Sequence, residues 1–244
     1  MRVSGLNIDM LQVKNVKVKL GGKEILKGIS FSLTPGSMVC VAGPNGAGKS
    51  ILFYTIAGYF KPYSGEVLIN GEKVHSLTTP RRAELISFLP QRTSFFYPFK
   101  VREVVEMGSY RFKSPDGERA MALVGILPMA EREFTSLSEG ERKLVLIARL
   151  LAQQTPILLL DEPASNLDIN RQVKIYSLLR KLAENGRTIL VSEHSLNLLP
   201  FCNRAILMKE GRIVSRGLPG EVLKDEILER VYDIHPSELV RILP

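Results

Sequence analysis

The sequence has no run approaching the ~18 uninterrupted apolar residues that a membrane-spanning helix needs, so it does not read as a helical membrane protein. The N-terminal stretch MRVSGLNIDM lacks the apolar core of a signal peptide, and the expected compartment is therefore the cytoplasm. Cysteine is scarce. The two present, Cys40 and Cys202, lie in apolar surroundings and read as small core residues, not as metal or redox groups. No internal repeat and no low-complexity segment occurs. Dense basic blocks are absent too. The net charge is +8, but the lysines and arginines are scattered, so the excess is read as solubility and no nucleic-acid partner is expected. What is present is an ordinary globular composition, 45% hydrophobic and 24% charged over 244 residues, enough for one large domain or two small ones.

From Leu11 to His75 short alternating runs (LQVKNVKVKL, ISFSL, SMVCVAG, GEVLING) are separated by Gly21-Gly22, Pro35-Gly36 and Ser64-Gly65. They read as strands and hairpins, with one helix starting near Lys49. The middle, Thr79 to Ala152, reads as mostly helical: PRRAELISF, VREVVEMGS, GERAMALVGI and one long capped helix. Beyond Thr155 strands and helices alternate, which implies a parallel sheet covered by helices. The tail PGEVLKDEILERVYDI reads as one amphipathic helix with Val222, Leu223, Ile227 and Val231 on a face that packs on its own domain. The fold class that follows is α/β, with an antiparallel β edge and a helical insertion.

Gly43 to Ser50, GPNGAGKS, has the spacing G-x-x-x-x-G-K-S between an apolar strand and a helix. Glycines at 46 and 48 let backbone amides wrap a phosphate. Lys49 would reach the β- and γ-phosphates, and the Ser50 hydroxyl would bind Mg²⁺. The competing reading, a glycine-rich tight turn, explains neither the flanking elements nor the Lys-Ser pair. The run PILLLDEP then ends a buried strand in two carboxylates. Parallel strands present ligands at their carboxyl ends. Asp161 is placed to hold a Mg²⁺ hydration shell, and Glu162 to orient an attacking water. A cap on the following turn is the weaker alternative.

The stretch TSLSEGERKLVLIARLLA adds a helix start of unusual composition. Ser138 and Glu141 stand at capping-box spacing before an apolar run. Yet Gly140 lies in the first turn, where glycine costs about 1 kcal/mol relative to alanine.

Phosphate loop, LSEGE, LLLDEP, SNLD and a histidine in LVSEHS, in that order, resemble the ATPase subunit of an ABC transporter over nearly the whole chain. The resemblance implies a P-loop NTPase core with a mainly parallel sheet, an N-terminal antiparallel β subdomain and a helical insertion. The implied division is 1–90 and 153–244 for the core and 91–152 for the helical part. It implies ATP and Mg²⁺ as cofactors, with Gly43, Pro44, Asn45, Gly46, Ala47, Gly48, Lys49 and Ser50 on the nucleotide. Gln91, in FLPQR, resembles the glutamine that senses the γ-phosphate and Mg²⁺ and couples to the membrane partner. Ser138 and Gly140 resemble the signature motif, Asp168 the dimer-seam aspartate, and His194 the switch histidine on the γ-phosphate. In such proteins two copies close head to tail on two ATP molecules. Glycine at 140 would then leave room for the phosphate held by the other copy.

Three positions depart from that pattern. Glu139 stands where glycine is usual and is expected to face solvent. Leu20 stands where an aromatic residue stacks on adenine. Ile51 replaces the common threonine and is expected to pack. HSLTTPRRAELISFLPQ, FKVREVVEMGSYRF and the tail resemble subunits that power import of iron–siderophore, haem and cobalamin complexes. The implied partners are a second ATPase subunit, transmembrane permease subunits and, indirectly, a substrate-binding protein. The implied location is peripheral, on the cytoplasmic side of the membrane. Phe95, Phe96, Tyr97 and Phe99 either line a socket for the permease or form the small core of the insertion. A soluble ABC-type ATPase acting on nucleic acid or ribosomes is the alternative.

Overall fold

The computed structural model describes residues 9–93, 97–109 and 116–233. Two sheets organise it. Strands β1 (Leu11–Leu20) and β2 (Lys23–Leu33) form a hairpin across Gly21-Gly22. With β4 (Ser64–Ile69) and β5 (Glu72–Lys73) they make an antiparallel sheet of order β2-β1-β4-β5. The second sheet joins β3 (Met38–Ala42), β6 (Ile86–Leu89), β7 (Ile157–Asp161), β8 (Thr188–Glu193), β9 (Arg204–Lys209) and β10 (Arg212–Gly217). Its order is β10-β9-β3-β8-β7-β6, parallel except for β10.

This second sheet is the middle layer, and its central strands β3 and β7 are buried end to end, with continuous apolar runs, because both faces are covered. Alternate residues divide between two cores. Val39, Val41, Ile157, Leu159 and Leu190 face the antiparallel sheet and helix α1 (Lys49–Ile56), with Leu52, Phe53 and Ile56. Cys40, Leu158, Leu160, Ile189 and Val191 face the opposite core. That core holds residues of α3 (Val101–Ser109), α4 (Gly117–Val124), α5 (Glu139–Ala152) and α6 (Ile169–Glu184). Both cysteines are buried free thiols, as their surroundings implied. Leu20 and Ile51 pack partly buried against the first core.

Two expectations are corrected. PRRAELISF is not one helix: α2 (Thr79–Leu85) stops at Leu85, and Ile86–Leu89 is a strand beside β7. Pro80 opens that helix under a Thr78 cap. The tail is likewise two helices, α7 (Pro219–Val222) and α8 (Asp225–Tyr232). Lys224 between them is extended, and Asp225 and Glu226 favour a fresh N-terminus there. The apolar face survives the break, with Val222, Leu228 and Val231 buried and Leu223 and Ile227 packed partly buried.

Of the aromatic run after Gln91, Phe99 packs on the second core and Tyr97 is exposed. Phe95 and Phe96 lie outside the described residues.

Candidate functional site

Strand register brings the site together. Ala42 pairs with Glu193, Ser192 with Asp161, and Leu160 with Leu89. The residues that follow these strands, the loop from Gly43, His194, Glu162 and Gln91, therefore emerge at one edge of the sheet. This is the carboxyl edge, where parallel α/β sheets bind ligands.

The phosphate loop leaves β3 through Gly43, whose φ of +151° and close backing reserve the position for glycine. A Cβ there would lie 2.1 Å from the Met208 carbonyl oxygen. Asn45 and Gly46 are exposed and Lys49 is buried. Lys49 Nζ donates to the carbonyls of Gly43 at 2.6 Å and Pro44 at 3.2 Å, so it is folded over the loop. Burial lowers its pKa, and the carboxylates of Glu162 and Asp161 oppose that shift.

Asp161 is fully buried. Burial raises its pKa, while the nearby Ser192 and Ser50 hydroxyls act the other way. Ser192 Oγ donates to Asp161 Oδ1. Asp161 Oδ2 is buried and finds no hydrogen-bond partner among the described residues. An orphan carboxylate oxygen beside a serine hydroxyl, next to a phosphate loop, fits the hard oxygen donors that Mg²⁺ takes while keeping most of its waters. A cage of three or more metal-ligating side chains is absent among the described residues, and such a site does not need one.

Glu162 takes a φ of +51°, sparsely populated for a non-glycine residue. Its N–H is held by Ser192, donating to the carbonyl oxygen at 3.2 Å and to Oγ at 3.0 Å. The strained turn aims its carboxylate at two predicted site residues. Gln91 Nε2 donates to Glu162 Oε2 at 2.8 Å, and His194 Nδ1 lies 3.9 Å from the same oxygen.

Ser138, Gly140 and Asp168 stand at helix starts. Ser138 caps α5 in a full capping box: Oγ accepts from Glu141 N at 3.3 Å, and Ser138 N donates to Glu141 Oε2 at 2.9 Å. Glu139 is exposed, as expected. Asp168 caps α6, accepting from Arg171 N at 2.9 Å. Within this chain the loop after β7 approaches Gly140 closely: a Cβ on residue 140 would lie 2.7 Å from the Asn166 carbonyl oxygen.

Sequence reasoning missed three groups. Ser192 ties Asp161 to Glu162. Glu193 is buried, accepts from Tyr176 Oη at 2.7 Å, and is pushed by burial up to about 7. Lys143 is buried and donates to the Gln91 carbonyl oxygen at 3.2 Å. A usable signal existed for Lys143, since it falls on the buried row of α5 where an apolar residue belongs.

The chain is 38% identical over 233 residues to the cobalamin import ATP-binding protein BtuD of Halobacterium salinarum, covering 91% of this chain and 58% of that one. The chain thus spans little more than half the length of that relative. It is 38% identical over 250 residues to the hemin import ATP-binding protein HmuV of Bordetella avium, covering 93% and 96% of the two chains. Among solved structures, a dimeric ATP-binding cassette in a post-hydrolysis state bound to ADP and Pi superposes with a TM-score of 0.79 and 29% identity, covering 86% of this chain and 99% of that one. The family model described as ABC transporter matches residues 26–165, more than half of the chain. That match opens on β2, carries the phosphate loop, Gln91, Asp161 and Glu162, and closes three residues past Glu162, short of Asp168, Ser192 and His194; the chain belongs to the ABC transporter family.

Proposed function

We propose that this chain is the ATP-hydrolysing subunit of an ABC importer for a metal chelate of the hemin, cobalamin or iron–siderophore kind. One observation carries the reading. The phosphate loop, Asp161, Glu162, Gln91 and His194 meet at the carboxyl edge of adjacent strands, with Gln91 bonded to Glu162. The names of the relatives supply the chelate class.

The chemistry follows from the parts. Loop amides and Lys49 would take the phosphates, with Lys49 leaving the carbonyls it now holds. Ser50, Asp161 and, through water, Gln91 would hold Mg²⁺, whose charge offsets that of the phosphates. Glu162 would orient water and accept its proton, with Gln91 and His194 steadying the carboxylate. Ser138, Gly140 and Asp168 would meet a second copy across the nucleotide, the free helix N-terminus attracting the phosphate.

Residues 91–152 are the proposed helical part that moves against the core. No described helix is long and apolar enough to cross a membrane. The proposed place is therefore peripheral, on permease subunits at the cytoplasmic face, with a substrate-binding protein acting through them. A cleft of about 310 Å³ next to Gln91, lined by Tyr54, Tyr59, Phe88, Pro90 and Leu146, is the proposed seat for a permease segment.

Glu162→Gln tests the assignment. General-base loss of this kind costs roughly 10²–10⁴ in rate. The expected result is turnover lowered to that degree, with an ATP-dependent dimer seen by sedimentation. Monomers only at saturating ATP, together with near-native phosphate release, would overturn it.

A further inference from the structure

Gly140, Lys143, Ile147 and Leu150 follow one another along α5 at steps of three and four, and all four are buried. A lysine in that row is expensive, because an ammonium loses its water there. An apolar residue of the same length would fill the place at lower cost. Among the described residues its one hydrogen bond goes to the Gln91 main-chain oxygen at 3.2 Å. Gln91 lies beyond the end of β6, where the strand ladder no longer holds the backbone. From there Nε2 donates to Glu162 Oε2 at 2.8 Å. Asp161, Glu162 and Glu193 all lie near enough to favour the charged ammonium, although burial outweighs them and leaves the pKa below the ordinary lysine value.

We propose that Lys143 is a positioning residue for hydrolysis: it fixes the Gln91 backbone, and through the Gln91 side chain the Glu162 carboxylate, so that the LSEGE helix and the water-orienting acid move as one linked unit. The proposal rests on the reading of Gln91 and Glu162 given above. It uses a contact between residues 52 positions apart that lies inside one chain, so it operates before any second copy arrives. It also accounts for the burial. Methionine at 143 would end the cost of burying an ammonium but would leave the Gln91 carbonyl oxygen without that donor, so a purely structural Lys143 would show its loss in stability and not in the rate of the folded chain. A positioning Lys143 would show its loss in the rate of the folded chain.

The experiment is a double-mutant cycle on the full chain, with Lys143→Met and Gln91→Ala singly and together. Phosphate release is followed against ATP concentration, ADP affinity by calorimetry, and stability by thermal unfolding. Lys143→Met is expected to lower kcat about tenfold, a modest misplacement of reacting groups. ADP affinity should stay within about twofold, and the rates are compared at a temperature well below the unfolding transition of every variant, so that a change in stability does not enter them. In the Gln91→Ala background the same substitution should cost less than about twofold, because the link is already cut. Lys143→Gln, which keeps a donor, should return kcat to within about threefold of the native chain.

Native kcat in Lys143→Met, or an equal loss in both backgrounds, would overturn the proposal. So would a loss of ADP affinity matching the loss of rate. If the methionine variant does not fold, Lys143→Ala carries the same cycle. Glu162→Gln in the same assay separates the two levels. Native turnover there sinks the acid assignment, whereas lost turnover there with an additive cycle sinks Lys143 alone.

Discussion

Replacing Gly140 with alanine sets two effects of opposite sign against each other. Alanine in a helix gains about 1 kcal/mol over glycine by restricting the unfolded chain. The added Cβ, however, would lie 2.7 Å from the Asn166 carbonyl oxygen and 3.5 Å from Leu167 Cδ2. Asn166 cannot easily retreat. It already sits at a φ of +63°, Leu167 is buried behind it, and Asp168 is tied to the start of α6 by its cap. Overpacking against such a neighbour costs roughly 1–3 kcal/mol. The net expectation is a loss of about 1 kcal/mol, or about 2–4 °C in melting temperature for a chain of this size. The assay is thermal unfolding without nucleotide at low protein concentration, so that neither phosphate nor a second copy contributes. A melting temperature raised by about 2–4 °C would refute the reasoning. It would mean that the loop gives way, and that glycine is kept for something outside the chain.

Two other perturbations read different parts of the site. Lys49→Ala removes the ammonium that bridges Gly43 and Pro44, and should abolish measurable phosphate release at ordinary ATP levels while leaving the fold intact; near-native release would discard the phosphate site. Glu193 should make stability depend on pH. Its folded pKa is raised to about 7 from 4.5, so the folded state binds the proton more tightly than the unfolded chain. The stabilisation is complete below the unfolded value and is lost as pH rises through the folded one, a fall of about 3 kcal/mol between about pH 4.5 and 7. Glu193→Gln should flatten that fall, leaving Tyr176 Oη its acceptor; parallel urea-unfolding profiles for the native chain and the variant at pH 5 and 8 would refute it.

The phosphate loop and the acid pair were readable because each is carried by neighbours in sequence. GPNGAGKS needs only its own spacing, and ILLLDE announces a strand end by a switch from apolar to acidic. The strand Ile86–Leu89 was not readable. Four residues following a helix have no period of their own, and only β7 at the sheet edge turns ISFL into a strand. The separation into two sheets was half visible, since hairpin glycines mark strands without saying which sheet receives them. Ser192 and Lys143 were hidden for another reason. Their partners, Asp161 and Gln91, lie 31 and 52 residues away, so their roles exist only once the strand ends are in register. For Gly140 the spacing speaks only of a helix start, and the intrachain neighbour Asn166, 26 residues further on, comes from the fold.

The signature helix shows how the same residues serve the single chain and the proposed pair. A serine hydroxyl has one donor and two acceptor lone pairs. In the single chain Ser138 Oγ accepts from Glu141 N and donates to Glu141 Oε2 at 3.0 Å. The accepting half can persist when a phosphate arrives, because it closes the helix and faces inward along the chain. The donating half cannot, since the proton that would meet a phosphate oxygen is held by a carboxylate. Glu141 is thus both the cap that builds the N-terminus and the competitor for its only hydroxyl proton. Arg132 Nη1, 3.3 Å from Glu141 Oε1, draws on the same carboxylate from the other side. That pull competes for the carboxylate that holds Ser138 and offsets its negative charge where the proposed second copy would bring a phosphate. Burying the pair at a dimer seam would strengthen it further, because Coulomb attraction grows as water leaves. In the proposed pair, Arg132 would keep the Glu141 carboxylate occupied while the Ser138 hydroxyl turned its hydrogen toward the phosphate held by the second copy.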